Sequence, residues 1–95
     1  MEFSGDTLIK LKVVISDQLV RHLSETPFAD DMKIVSKNGS HILTATVPDS
    51  WSLRWWLSSQ GNEAVVIAPK ALRDDMRKRI HEAQQAYDNI TTHGR

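Results

Sequence analysis

The side chains best suited to binding a charged ligand lie in one basic cluster, formed by Lys70, Arg73 and Arg77. Spacings of three and four residues place these cations on one side of a helix, with His81 one turn further on. The first two fall in the first turn of that helix, where a positive charge opposes the helix dipole. Cations in such a position indicate an anionic partner, although ion pairs with nearby carboxylates are the commoner explanation.

No arrangement typical of catalysis or metal binding is present. The sequence has no cysteine, and no two of its four histidines have the spacing of metal ligands. Asp74 and Asp75 diverge because adjacent residues on a helix do not face each other, and Asp30 and Asp31 fall in a loop. Phosphate-binding glycine loops and the nucleophile elbow are also missing. We therefore predict a non-enzymatic protein with no catalytic residue, metal or cofactor.

Length and composition predict one small domain without a preference for charged partners. The 95 residues include 12 Lys plus Arg and 12 Asp plus Glu, so no net field draws the chain to nucleic acid or membrane. Nothing resembles a signal peptide or a transmembrane segment, and the lack of cysteine fits a reducing interior. We expect a cytoplasmic domain over residues 7–90, preceded by a disordered lead or expression remnant at 1–6 and followed by a frayed tail at 91–95.

Three tryptophans lie in one short predicted helix. At about 100° per residue, Trp56 shares the apolar face with Leu53 and Leu57, whereas Trp51 and Trp55 lie on the opposite face. The polar residues expected on that opposite face are Arg54, Ser58 and Ser59. Large rings on a polar face indicate that a partner surface covers them. The alternative is that they fold back over the helix start and a neighbouring loop.

The hairpin over residues 32–47 is the clearest local signal. An Asn-Gly step separates two strand-like runs, and both positions of such a turn need positive φ. The two-residue turn pairs Val35 with Ile42 on the same side of the sheet. Together with Leu8 and Val14 of the preceding strand, they make that side apolar. We expect the extra helix or another chain to cover it.

The predicted elements follow the order β-α-β-β-α-β, with an added helix over residues 70–90. Gly61 ends the tryptophan helix and Pro69 separates the last strand from the added helix. Two right-handed β-α-β crossovers around a central hairpin give an α+β, ferredoxin-like sandwich. The added helix carries a narrow apolar seam, which consists of Leu72, Met76, Ile80, Ala83 and Tyr87.

The pattern from Val47 to Tyr87 resembles the WCX domain, the C-terminal extension of the WYL family of bacterial transcriptional regulators. The matching features are a strand ending in valine, a polar helix cap, Leu53-Arg54, Trp56-Leu57, Gly61, a short strand, Pro69, Leu72-Arg73 and a long helix. The sequence departs from the family pattern at Gln60, where an apolar residue is usual, and at Trp55, where a polar one is usual.

The resemblance implies a module of a longer regulator. In such regulators a winged helix-turn-helix domain binds operator DNA, and a WYL domain senses a nucleic-acid or other anionic effector. The extension contributes to dimerisation and to relaying the signal. Arg73 matches the Leu-Arg motif, which makes it the candidate for an effector-side contact, with Lys70 and Arg77 beside it.

Two functions stay open at this point. The first is a non-enzymatic regulatory and dimerisation module that forms a homodimer through Trp51, Trp55, Val35 and Ile42. Such a module would meet operator DNA only through an N-terminal domain outside this chain. The second is a free-standing ferredoxin-like domain that binds a small ligand. A gene product of roughly three hundred residues, two to three domains at typical sizes, with an upstream helix-turn-helix would favour the first.

Overall fold

The computed structural model describes residues 4–93, and side chains are described for residues 7–90. The elements are β1 (Ser4–Ile15), α1 (Asp17–Glu25), β2 (Lys33–Lys37), β3 (Ser40–Ser50), α2 (Trp51–Ser59), β4 (Ala64–Ala68) and α3 (Lys70–His93), with a 3-10 turn at Gly61–Glu63. The four strands form one sheet in the order β2-β3-β1-β4, and all neighbours are antiparallel. This arrangement confirms the predicted α+β, ferredoxin-like fold.

Local sequence signals explain where the elements begin and end. The Ser16 and Ser50 hydroxyls cap α1 and α2, each accepting a hydrogen bond of 3.2 Å from a backbone N–H in the first turn. Asn38 and Gly39 both have positive φ, as the predicted hairpin turn requires. Gly61 also has positive φ, at 62°, just after α2 ends.

The core lies between the inner face of the sheet and the helices. Its sheet side chains come from alternate positions of the strands, among them Leu11 and Val13 at 1% exposure. Leu57 of α2 and Leu72 and Met76 of α3 join the same buried cluster. Both α2 and α3 therefore pack on the inner face, and α3 does not cover the outer face as one prediction had it. Leu8 and Val35 stay 64% and 52% exposed there.

Only the first half of α3 packs against the domain. Its seam was predicted to continue through Ile80 and Tyr87, but these are 62% and 73% exposed. The side chains at 81–90 are all exposed. The prediction was wrong because β4 has only five residues, whereas α3 has 24 residues, or about 36 Å at 1.5 Å per residue. The helix therefore outruns the surface against which it could pack.

The ends of the domain also differ slightly from the predicted boundaries. β1 begins at Ser4, three residues earlier than expected, because Ser4 pairs with Ser50 at the far end of β3. α3 continues to His93. The expectations of a disordered lead at 1–3 and of fraying at 94–95 lie outside the described residues.

Candidate functional site

A cleft of about 570 Å³ lies between the end of α2, β4 and the first half of α3. Leu57, Val66 and Met76 are buried and form its apolar floor. Arg73 and Arg77 also line the cleft, and both side chains are exposed. The cleft therefore combines an apolar floor with two cationic groups one helical turn apart.

The three cations of the basic cluster do not have the same surroundings. Lys70 Nζ lies 2.6 Å from Asp74 Oδ2, so the ion-pair explanation holds for this lysine. Within residues 7–90, no carboxylate forms an ion pair with Arg73 or Arg77. The hydrogen bond from Lys70 lowers the pKa of Asp74, and the charges of the two arginines lower it further. The two arginines consequently keep their hydrogen-bond donors available at the cleft.

Arg54 is the one buried charged residue among the described side chains, at 6% exposure. The helical projection had placed it on the exposed face of α2, and that prediction was wrong. The reason is α3, which packs beside α2 and brings Asp75 against that face. Arg54 Nε donates to Asp75 Oδ2 at 2.9 Å, and Nη1 donates to the Asp49 carboxylate. Arg79 Nε also donates to Asp75 Oδ2, at 3.0 Å.

These contacts favour the ionised forms of Arg54 and Asp75. Burial by itself lowers the pKa of Arg54, but the hydrogen bonds to Asp49 and Asp75 outweigh it and raise that pKa above its usual value. Burial likewise raises the pKa of Asp75, and the hydrogen bonds from Arg79 and Arg54 outweigh it and lower that pKa. These ion pairs connect α3 to α2. Because Asp75 is two residues from Arg73 on the same helix, they also fix the position of Arg73 at the cleft.

The tryptophans of α2 divide as predicted. Trp56 packs against the core, and its ring lies 5.4 Å from that of Phe28. Trp55 is 76% exposed and Trp51 46% exposed. The Arg79 guanidinium lies 5.3 Å from the centre of the Trp51 ring, a cation–π distance. α3 thus supports one side of Trp51, while Trp55 faces solvent.

The predicted partner residues lie on two separate surfaces. Trp51 and Trp55 are on the solvent side of α2. Val35 and Ile42 pair with each other on the outer face of the sheet, which is the side away from the helices. Because the sheet lies between them, one continuous interface cannot contain both pairs.

Two further observations on the described residues concern metal binding and membrane insertion. No group of three or more His, Cys, Asp or Glu side chains within residues 7–90 could hold a metal ion. No helix in the described part of the chain is long and apolar enough to cross a bilayer. The described residues form a ferredoxin-like sandwich, and an apolar cleft lined by two arginines lies between α2, β4 and α3.

The family follows from comparison with known sequences. The model of the WCX domain matches residues 7–84, which is most of the chain. The chain therefore belongs to the WCX domain family, and the resemblance read from residues 47–87 is confirmed. WCX domains are regulatory modules of WYL-type regulators. No curated protein matches the sequence.

Proposed function

We propose that this chain is the non-enzymatic C-terminal module of a cytoplasmic WYL-type transcriptional regulator, where it assists in sensing an anionic effector. The observation that carries the proposal is the pair of arginines, Arg73 and Arg77, beside the apolar floor of the cleft. Operator DNA would be bound by a helix-turn-helix domain elsewhere in the regulator. The balanced charge of this chain gives it no field of its own for duplex DNA.

The chemistry of the cleft favours a ligand with a phosphate and an apolar body. A guanidinium can donate two parallel hydrogen bonds to a phosphate, which an ammonium group cannot. Residues one helical turn apart have Cβ atoms about 6 Å from each other, so Arg73 and Arg77 can approach the same phosphate. The floor formed by Leu57 and Met76 offers contact to a base or sugar. A nucleotide or a short oligonucleotide therefore fits the site as a class.

Dimerisation is the second part of the proposal, and the tryptophan side of α2 supports it. Trp51 and Trp55 lie on this side, and tryptophans often dominate the binding energy of protein interfaces. Sedimentation at tens of micromolar, a range suited to a weak interface, should show a dimer that Trp55→Ala weakens.

The effector site can be tested with a 5′-phosphorylated single-stranded oligonucleotide titrated into the chain and followed by calorimetry. We expect Arg73→Ala and Arg77→Ala each to weaken binding about tenfold, or 1.4 kcal/mol. Arg73→Lys should lose nearly as much as Arg73→Ala, because lysine lacks the planar fork. Lys78→Ala on the same helix is the matched control, since Lys78 does not line the cleft.

The result that would refute this site is unchanged oligonucleotide affinity in the Arg73→Ala and Arg77→Ala variants. A second contrary result would be a variant that loses both its affinity and its folded state, since the arginine would then have a structural role. Circular dichroism of each variant detects the loss of the folded state. Response of the full-length regulator to its effector is a separate readout, in which operator affinity should stay constant.

A free-standing ligand-binding domain is the alternative, and one feature favours it. An apolar pocket of about 270 Å³ lies at the start of α2 and is lined by Phe28, Leu53 and Trp56 among others. A small apolar molecule would displace water from Trp56 on entering it and so shift the emission of that ring to shorter wavelength. Such a shift with a hydrophobic ligand, without any effect of Arg73→Ala, would favour this alternative.

A further inference from the structure

The outer face of the sheet carries an apolar row that crosses all four strands. Val35 of β2 pairs with Ile42 of β3, Ile42 pairs with Val14 of β1, and Val14 pairs with Val65 of β4. Val35 and Val65 are 52% and 53% exposed, and the two central residues are half-buried. Three strand spacings of about 4.8 Å give this row a length of about 14 Å.

Exposed lysines flank the apolar row. Lys33 and Lys12 both pair with Thr44 and so occupy the adjacent row, on strands separated by β3. Lys10 follows one row further along β1. A depression of about 420 Å³, lined by Lys10, Lys12, Thr44 and Asp31 among others, lies beside these residues. The carboxylate of Asp31 is engaged there, because it accepts a hydrogen bond of 2.9 Å from the Thr46 N–H.

The composition of this face argues against three kinds of partner. A second copy packed face to face about a two-fold axis along the strands would bring the two lysine rows together, which like-charge repulsion opposes. Nucleic acid lacks a stacking platform here, since none of the strand residues at 7–15, 33–37, 40–50 and 64–68 is Phe, Tyr or Trp. A bilayer interface is commonly entered by aromatic or long apolar side chains, whereas this row consists of short β-branched ones.

A helix fits the spacing of the face. One helical turn rises 5.4 Å, close to the strand spacing of about 4.8 Å, so apolar residues on successive turns would each meet one strand. Lys12 and Lys33 are two strands apart, about 9.6 Å. Acidic residues two turns apart on the flank of the helix, about 10.8 Å, would meet these lysines.

We propose that the outer sheet face docks an acidic amphipathic helix, which lies across the strands with its apolar stripe on Val35, Ile42, Val14 and Val65 and its acidic flank toward Lys12 and Lys33. This surface is independent of the arginine-lined cleft, and it lies on the opposite side of the sheet from Trp51 and Trp55.

A pair of synthetic helical peptides of about 18 residues, or five turns, tests the proposal. Both carry leucines on successive turns; one has glutamates and the other lysines on the flank. By fluorescence anisotropy the chain should bind the glutamate peptide with a Kd of tens of micromolar and the lysine peptide at least about tenfold more weakly. The double variant Lys12→Glu/Lys33→Glu should reverse this preference.

Matched variants separate this surface from the others. Lys78→Glu reverses an exposed charge away from the sheet and should leave the preference unchanged, as should Arg73→Ala in the cleft. Val35→Ser should weaken the glutamate peptide about threefold to tenfold, since it removes apolar contact at an exposed position. All variants are first checked for the native circular dichroism spectrum.

Several outcomes would overturn the proposal. Equal binding of the two peptides, or binding of neither, would do so. A loss of peptide binding in Arg73→Ala would move the interaction to the cleft. Binding of single-stranded DNA or of anionic vesicles that depends on Lys12 and Lys33, in the absence of peptide binding, would identify a different class of partner.

Discussion

The junction of α2 with α3 and the cleft beside it contain the same residue type in opposite situations. Arg54 is 6% exposed and is held by two carboxylates. Arg73 is exposed and forms no ion pair within the described residues. A buried cation without partners would destabilise the fold, whereas an exposed one costs little. The comparison indicates that Arg54 serves the fold and that Arg73 is available for a ligand.

The tryptophans of α2 show the same contrast between a residue packed on the core and an exposed one. Trp56→Ala should lower the free energy of unfolding by about 3 kcal/mol, because it removes a large ring packed on the core. Trp55→Ala should change it by less than about 0.5 kcal/mol, since its ring is 76% exposed. Urea unfolding of both variants measures the difference. Equal losses would mean that the two faces of α2 are assigned wrongly.

Arg54→Ala should be the next most damaging change, lowering the free energy of unfolding by about 2 kcal/mol. The side chains of Asp49 and Asp75 are 24% and 33% exposed, so water compensates part of the lost contact. Arg73→Ala should leave stability unchanged and affect only ligand binding. The contrast fails if chemical denaturation gives the two arginine variants the same loss.

Acid should weaken the ion pairs that Asp75 forms with Arg54 and Arg79. The pKa of Asp75 is lowered in the folded state, so its ion pairs contribute stability above the unfolded pKa of about 3.9. That contribution is lost as the pH falls through the lowered folded pKa. Asp75→Asn should lower stability at neutral pH and flatten its dependence on pH in this acidic range. Thermal melts between about pH 2 and pH 6 check this, and an unaltered pH dependence would contradict it.

The smallest effect is expected at Lys70. Its ion pair with Asp74 joins two residues of one helix at the surface, and such pairs contribute little. Lys70→Ala should therefore leave the unfolding transition unchanged within error. It should also leave oligonucleotide affinity closer to wild type than Arg73→Ala does, because Lys70 does not line the cleft. Equal losses of affinity would show that the whole basic cluster acts together.

Local sequence predicted most of the framework because each signal acts over a few residues. The Asn38-Gly39 turn fixed the hairpin register, and the Ser16 and Ser50 hydroxyls cap α1 and α2. The basic cluster could also be predicted from the spacing of its residues along one helix. The sequence could not predict which of these residues forms an ion pair, since a side chain such as Lys70 can reach either a neighbouring carboxylate or solvent.

The placement of α3 was decided only by tertiary structure. Its sequence determined a long helix with an apolar stripe, but not which layer of the molecule it joins. Packing on the inner face made Leu72 and Met76 core residues and left Ile80 exposed. The same choice buried Arg54 against Asp75, although helical periodicity had placed Arg54 on a solvent face. Periodicity shows which side chains of a helix point in the same direction. It does not show which element packs on that side, because that element comes from a distant part of the chain.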